Sequence, residues 1–176
     1  MDGWTSRGNT TLTTDSESYY SAGSSVKVSG RSDTWQGIAY DLSKIAKAGE
    51  TYSFSAAVMQ GSGADVDMMI TLQYNDADGK ESYSNIASET VKSKTWTKLE
   101  NTSYTIPAGA TNLLLYVEAS SMTDFYLDDV LIASKGTKSD VTTGKGTVGE
   151  DVGKIKAVEG VDISWIDPSK PRVAIS

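Results

Sequence analysis

The sequence predicts an all-β protein built as an antiparallel β-sandwich. Three observations predict it: apolar residues alternate with polar ones in several separate stretches, turn signals punctuate the chain between them, and helical periodicity is almost absent.

The stretches follow in order. Val26 and Val28 alternate with Lys27 and Ser29. Tyr52, Phe54, Ala56 and Val58 alternate with Ser53, Ser55 and Ala57. Val66, Met68, Ile70, Leu72 and Tyr74 alternate with Asp67, Met69, Thr71 and Gln73. Leu113, Leu115, Val117 and Ala119 alternate with Leu114, Tyr116, Glu118 and Ser120. A period of two sends one set to a core and the other toward water. Turns are signalled at Ser21–Ser24, Lys47–Glu50, Asn75–Gly79 and Ile106–Ala110. Only Asp41 to Lys47 hints at a helical turn.

After Ile132 the pattern changes. Gly, Thr, Lys and Asp dominate, with single scattered valines that bury too little apolar surface to fold alone. The expected organisation is a sandwich over residues 1–133, a flexible linker over 134–164, and the truncated start of a following domain over 165–176.

Composition removes several classes of function. The 176 residues contain no Cys and no His, which excludes disulfide frameworks, thiolate nucleophiles, Cys/His zinc sites and Ser–His pairs. A net charge of −7 runs against a nucleic-acid partner, which needs a basic stripe to neutralise phosphates. No apolar run approaches the ~20 residues that span a bilayer. The absence of thiols and the abundance of Ser, Thr, Gly and Tyr are compatible with a secreted bacterial protein.

Glycoside hydrolysis needs two carboxylates placed across a bond. The 23 acidic residues make coincidental pairs inevitable, and most sit in turns, such as Asp65, Asp76, Asp78 and Glu81. Only Glu118 stands mid-strand among strongly apolar neighbours, and one carboxylate is not an acid/base pair.

Sugar binding asks instead for aromatic faces beside hydrogen-bonding groups. If Leu115 and Val117 face the core, Tyr116 and Glu118 share the other face, about 7 Å apart. Spacing alone supports equally a solvated outer face on which a Tyr happens to sit. Trp35 lies in a polar, Gly-flanked stretch, either as a loop anchor buried in the core, which its residue type favours slightly, or as a ring offered to a ligand. Trp4 and Trp96 read as core or rim packing. Tyr83 follows a turn and fits either role. Arg7 is ordinarily a surface charge, yet a guanidinium beside aromatic rings can bond two adjacent hydroxyls in a fixed fork.

Trp4-Thr-Ser-Arg-Gly8, Val26-Lys-Val-Ser-Gly-Arg31 running into Thr34-Trp35-Gln-Gly37, and Ala48-Gly-Glu-Thr-Tyr-Ser-Phe-Ser55 together resemble the family 22 carbohydrate-binding modules. Leu72-Gln-Tyr-Asn-Asp76, Tyr104-Thr-Ile-Pro-Ala108, Leu115-Tyr-Val-Glu118 and Asp124-Phe-Tyr-Leu-Asp-Asp-Val130 continue the resemblance over residues 3 to 133. It implies a jelly-roll-like sandwich with a ligand groove across one sheet. It also implies a non-catalytic module that binds xylan and xylo-oligosaccharides, with mixed-linkage β-glucan in some members. Its hosts are secreted modular xylanases, whose attached catalytic domains it targets to substrate. The ligand contacts it implies are Arg7, Trp35, Tyr83, Tyr116 and Glu118, with Gln73 nearby. It further implies a structural Ca²⁺ on Asp128 with carbonyls from Gly23 to Ser25, though calcium takes six to eight oxygens.

Two other readings stand beside it: a protein-docking or adhesive sandwich using the same aromatic face, and a small glycosidase or esterase. Finally, Asp167-Pro-Ser-Lys-Pro-Arg-Val-Ala-Ile-Ser176 resembles the entry strand of polysaccharide deacetylases of carbohydrate esterase family 4.

Overall fold

A computed structural model describes residues 3–141. Ten strands run in chain order: β1 (Trp4–Arg7), β2 (Thr11–Asp15), β3 (Ser25–Ser29), β4 (Gly37–Asp41), β5 (Thr51–Gln60), β6 (Val66–Asn75), β7 (Glu81–Val91), β8 (Thr97–Thr105), β9 (Thr111–Ala119) and β10 (Phe125–Ser134). They form two five-stranded sheets, ordered β1-β4-β9-β6-β7 and β2-β3-β10-β5-β8, and every strand pair is antiparallel.

The predicted alternation builds the core. Val26, Val28, Phe54, Met68, Leu72 and Leu115 are buried within a single cluster shared by both sheets. Trp4 joins it, its ring 5.1 Å from that of Tyr40. The Asp41–Lys47 stretch forms one turn, with the Ile45 and Ala46 N–H groups both donating to the Leu42 carbonyl. Among the described residues it does not extend into a helix.

One glycine is dictated by packing. β4 runs so close to β9 that a Cβ on Gly37 would lie 1.9 Å from the Val117 carbonyl oxygen. Any side chain there would push the two strands apart.

The outer face of β5 departs from the alternation. Ser53, Ser55 and Ala57, expected toward water, are 1%, 1% and 0% exposed. The chain after β10 covers them. Ser53 Oγ donates to the Thr137 carbonyl, Gly136 N–H donates to Thr102, and Val141 packs against Tyr20, Ala57 and Trp96. Lys98 Nζ donates to the carbonyls of Ser139 and Val141 at 3.2 and 3.1 Å. The packed chain therefore runs through Val141, past the expected boundary at 133. A lone valine held through its own backbone carbonyl, which accepts from Lys98 Nζ and the Tyr20 hydroxyl, carries little hydropathy signal, which explains the difference. The rest of the expected linker, 142–164, and the 165–176 segment with its deacetylase resemblance lie outside the described residues.

Candidate functional site

The outer face of the β1-β4-β9-β6-β7 sheet carries an open groove of about 580 Å³ lined by Arg7, Trp35, Gln73, Glu81, Tyr83 and Tyr116. Strand register explains the gathering. Gln73 on β6 pairs with Tyr83 on β7, while Thr71, two residues back along β6, pairs with Tyr116 on β9. Arg7, at the end of β1, pairs with Gly37 and so lies beside the loop that carries Trp35. Side chains two apart on one strand share a face, which sets a row of polar and aromatic groups across the sheet.

Trp35 and Tyr83 stand out from the surface at 44% and 53% exposure. The buried-anchor alternative for Trp35 is thus not the one the fold adopts: its ring is exposed and lines the groove. Gly8 makes room beneath its loop: at φ +75°, a Cβ would meet Gln36 Cγ at 2.6 Å and Trp35 Cη2 at 3.1 Å.

Tyr116 occupies the predicted face but not as an open platform. The residue is 3% exposed, and the Arg7 guanidinium lies over its ring, 3.7 Å from the centroid. The same guanidinium is 5.3 Å from the Trp35 ring. Burial, and then the charge of Glu118, pushes the Tyr116 hydroxyl up to about 12. Glu118 shares that face and accepts a hydrogen bond from Thr71 Oγ1 at 2.8 Å.

Glu81 is the residue that sequence reasoning misplaced among the turn carboxylates. It opens β7 two positions before Tyr83, so period two puts both on one face. Its carboxylate accepts from the Tyr83 hydroxyl and from Gln73 Nε2, the latter at 2.9 Å. The Tyr83 hydroxyl is held above its ordinary range, first by that bond to Glu81.

Two buried polar atoms of the groove residues, Arg7 Nε and Gln73 Oε1, have no hydrogen-bond partner among the described residues. Exposed aromatic rings beside polar groups with unused hydrogen-bonding capacity suit a ligand with apolar ring faces and peripheral hydroxyls.

Residues 1–124 match the model of a family described as carbohydrate binding domain. A xylan-binding domain of family 22 superposes with a TM-score of 0.73 at 30% identity, over 78% of this chain and 90% of that one. The chain belongs to the family 22 carbohydrate-binding modules. A second family 22 module, the C-terminal one of Clostridium thermocellum Xyn10B, superposes with the same TM-score at 29% identity, over 78% of this chain and 90% of that one. Among curated sequences, a xylanase/beta-glucanase of Ruminococcus flavefaciens is 48% identical over 137 residues, which is 77% of this chain and 17% of that protein. Endo-1,4-beta-xylanase A of Thermotoga maritima is 42% identical over 133 residues, 73% of this chain and 12% of that protein. This module therefore corresponds to a small part of each of these much longer enzymes, and to a binding domain rather than a catalytic one.

The calcium expected on Asp128 meets an unsuitable environment. A register shift in β10 next to Asp128 turns its carboxylate toward the loop between β2 and β3. Oδ2 accepts the N–H groups of Tyr20 and Ser21, each at 2.8 Å, and Oδ1 accepts that of Asp129 at 2.7 Å. Donor dipoles converging on both oxygens repel a cation, and no cluster of three or more Asp or Glu suited to a metal exists among the described residues. The residues present do not fit Ca²⁺. Asp128 instead ties the loop down, and its burial pushes it up to about 6 against the pull of those N–H groups.

Proposed function

We propose that this module binds xylan and its oligosaccharides in the groove, and so holds an attached, secreted plant cell-wall-degrading enzyme on its substrate. One observation carries the reading: two exposed aromatic rings, Trp35 and Tyr83, flank a floor with the unpartnered Arg7 Nε and Gln73 Oε1. Pyranose faces stack on the rings and contribute an apolar term of ~25 cal/mol per Å² buried. Arg7, Gln73 and the carboxylates Glu81 and Glu118 then meet hydroxyls. A family 22 module joined to a Clostridium thermocellum xylanase domain, with xylohexaose in the complex, has a TM-score of 0.72 at 27% identity over 77% of this chain, which supports xylose chains as the ligand. Mixed-linkage β-glucan shares the β-linked ribbon shape and is the natural competitor.

Affinity electrophoresis through gels containing soluble xylan or barley β-glucan tests this. Retardation in xylan, lost in Trp35→Ala and Tyr83→Ala, is the expected result. Free migration of the wild-type module in xylan would sink the proposal, and stronger retardation in β-glucan would reassign the ligand.

A further inference from the structure

Arg31 follows β3 and lies outside the groove, only 7% exposed. A guanidinium has five N–H donors, and here each one meets a backbone carbonyl. Nε donates to Gln36 at 2.7 Å, and Nη2 to Thr34 at 2.7 Å and Ala119 at 2.9 Å. Nη1 donates to Ser121 and, at 2.9 Å, to Thr123. The Phe125 ring lies 5.3 Å away. Burial lowers the Arg31 pKa, and the charges of Glu118, Asp124 and Asp33 oppose that shift.

The acceptors form two groups. Thr34 and Gln36 flank Trp35 on either side. Ala119, Ser121 and Thr123 belong to the segment leaving β9, the strand of Tyr116 and Glu118. Gln36 closes the first loop from the other direction, its Oε1 accepting the Ser32 N–H at 2.8 Å. Trp35 itself is 44% exposed, with the Arg7 guanidinium 5.3 Å from its ring, so where the ring stands depends on how the backbone of its loop is held.

We infer that Arg31 is the positioning residue for Trp35: its buried guanidinium clamps the backbone on both sides of that ring and ties it to the end of β9, so the ring is set over the groove before any ligand arrives. The consequence for binding rests on the role given to Trp35 above. A ring that must first find its position weakens apparent affinity in proportion to the fraction of molecules that have it placed.

Fluorine NMR of the full chain labelled with fluorotryptophan reads this directly, the Trp35 signal being the one that Trp35→Ala removes. In Arg31→Lys and Arg31→Met the Trp35 resonance should shift and broaden while those of Trp4 and Trp96 hold. Xylohexaose affinity should fall about tenfold, and the double variant Arg31→Lys/Trp35→Ala should bind no more weakly than Trp35→Ala alone. An unmoved Trp35 resonance in a folded Arg31 variant overturns the inference, and so does a further loss in the double variant. Should neither variant fold, backbone relaxation of the wild type decides. Order parameters for residues 33–36 near the strand value of about 0.85 support the clamp, and values below about 0.6 overturn it. If Trp35→Ala binds xylohexaose like the wild type, the proposed function loses Trp35, while the fluorine spectra still decide the role of Arg31.

Discussion

The Arg7 guanidinium covers the Tyr116 ring at 3.7 Å from its centroid, and this contact makes the groove floor. Tyr116 is an aromatic of the groove that lies buried beneath Arg7, whose Nε lacks a hydrogen-bond partner among the described residues. The charge packs on Tyr116, and in the proposed function it also donates to a hydroxyl of the ligand.

Arg7→Ala should lower xylohexaose affinity at least about tenfold, or ~1.4 kcal/mol. It should lower folding stability by about 1 kcal/mol through loss of the cation–π contact. Arg7→Lys should not restore binding, because an ammonium lacks the planar fork. Calorimetric titration alongside urea unfolding separates the two losses.

Glu81→Gln should free the Tyr83 hydroxyl. The hydrogen bond that the Tyr83 hydroxyl donates to the carboxylate, then burial and the carboxylate's charge, hold the Tyr83 pKa up; with the carboxylate replaced it should fall toward the ordinary tyrosine value. The difference between ultraviolet pH titrations of Glu81→Gln with and without Tyr83→Phe reads that shift. Retardation in xylan gels should weaken, with the unfolding midpoint unchanged.

Asp128 predicts a slope of stability with pH. Its carboxyl ionises at 3.8 in the unfolded chain and at about 6 when folded. Folding therefore favours the protonated form: that contribution is complete below 3.8 and is lost as pH rises through about 6. Compared with Asp128→Asn, which has no such group, the wild type should lose stability across this window. Added Ca²⁺ and chelator should leave the thermal midpoint unmoved, since N–H donors occupy both oxygens.

The segment after β10 packs on the sandwich through Val141. A chain stopped at 133 should be about 2–3 kcal/mol less stable than one stopped at 141, because Val141 and the surfaces of Tyr20, Ala57 and Trp96 lose their cover. Denaturant unfolding of the two lengths measures this. Equal stabilities would return the boundary to 133.

The face of each long strand was legible because period two needs only local residues: Val26, Phe54, Met68, Leu72, Leu115 and Val117 all point inward as expected. Tyr116 and Glu118 were legible as neighbours on the opposite face for the same reason. Glu81 was available from its phase with Tyr83, but its place after the Asn75–Gly79 turn hid it. The exposure of Trp35 was not legible from its own stretch, since it depends on Arg31 reaching carbonyls far along the chain at Ala119, Ser121 and Thr123. The N–H cradle of Asp128 needs a strand irregularity and a distant loop to meet, and neither writes a pattern in the residues.

The proposed function requires the groove between Trp35 and Tyr83 to take a xylose chain. Calorimetric titration of the wild-type module with xylohexaose, run beside Trp35→Ala and with cellohexaose as competitor, tests it most directly. Saturable binding of xylohexaose by the wild type, weaker binding of cellohexaose, and a loss of at least about tenfold in the variant are the expected results. Equal binding of xylohexaose by Trp35→Ala, or none by the wild type, would contradict it.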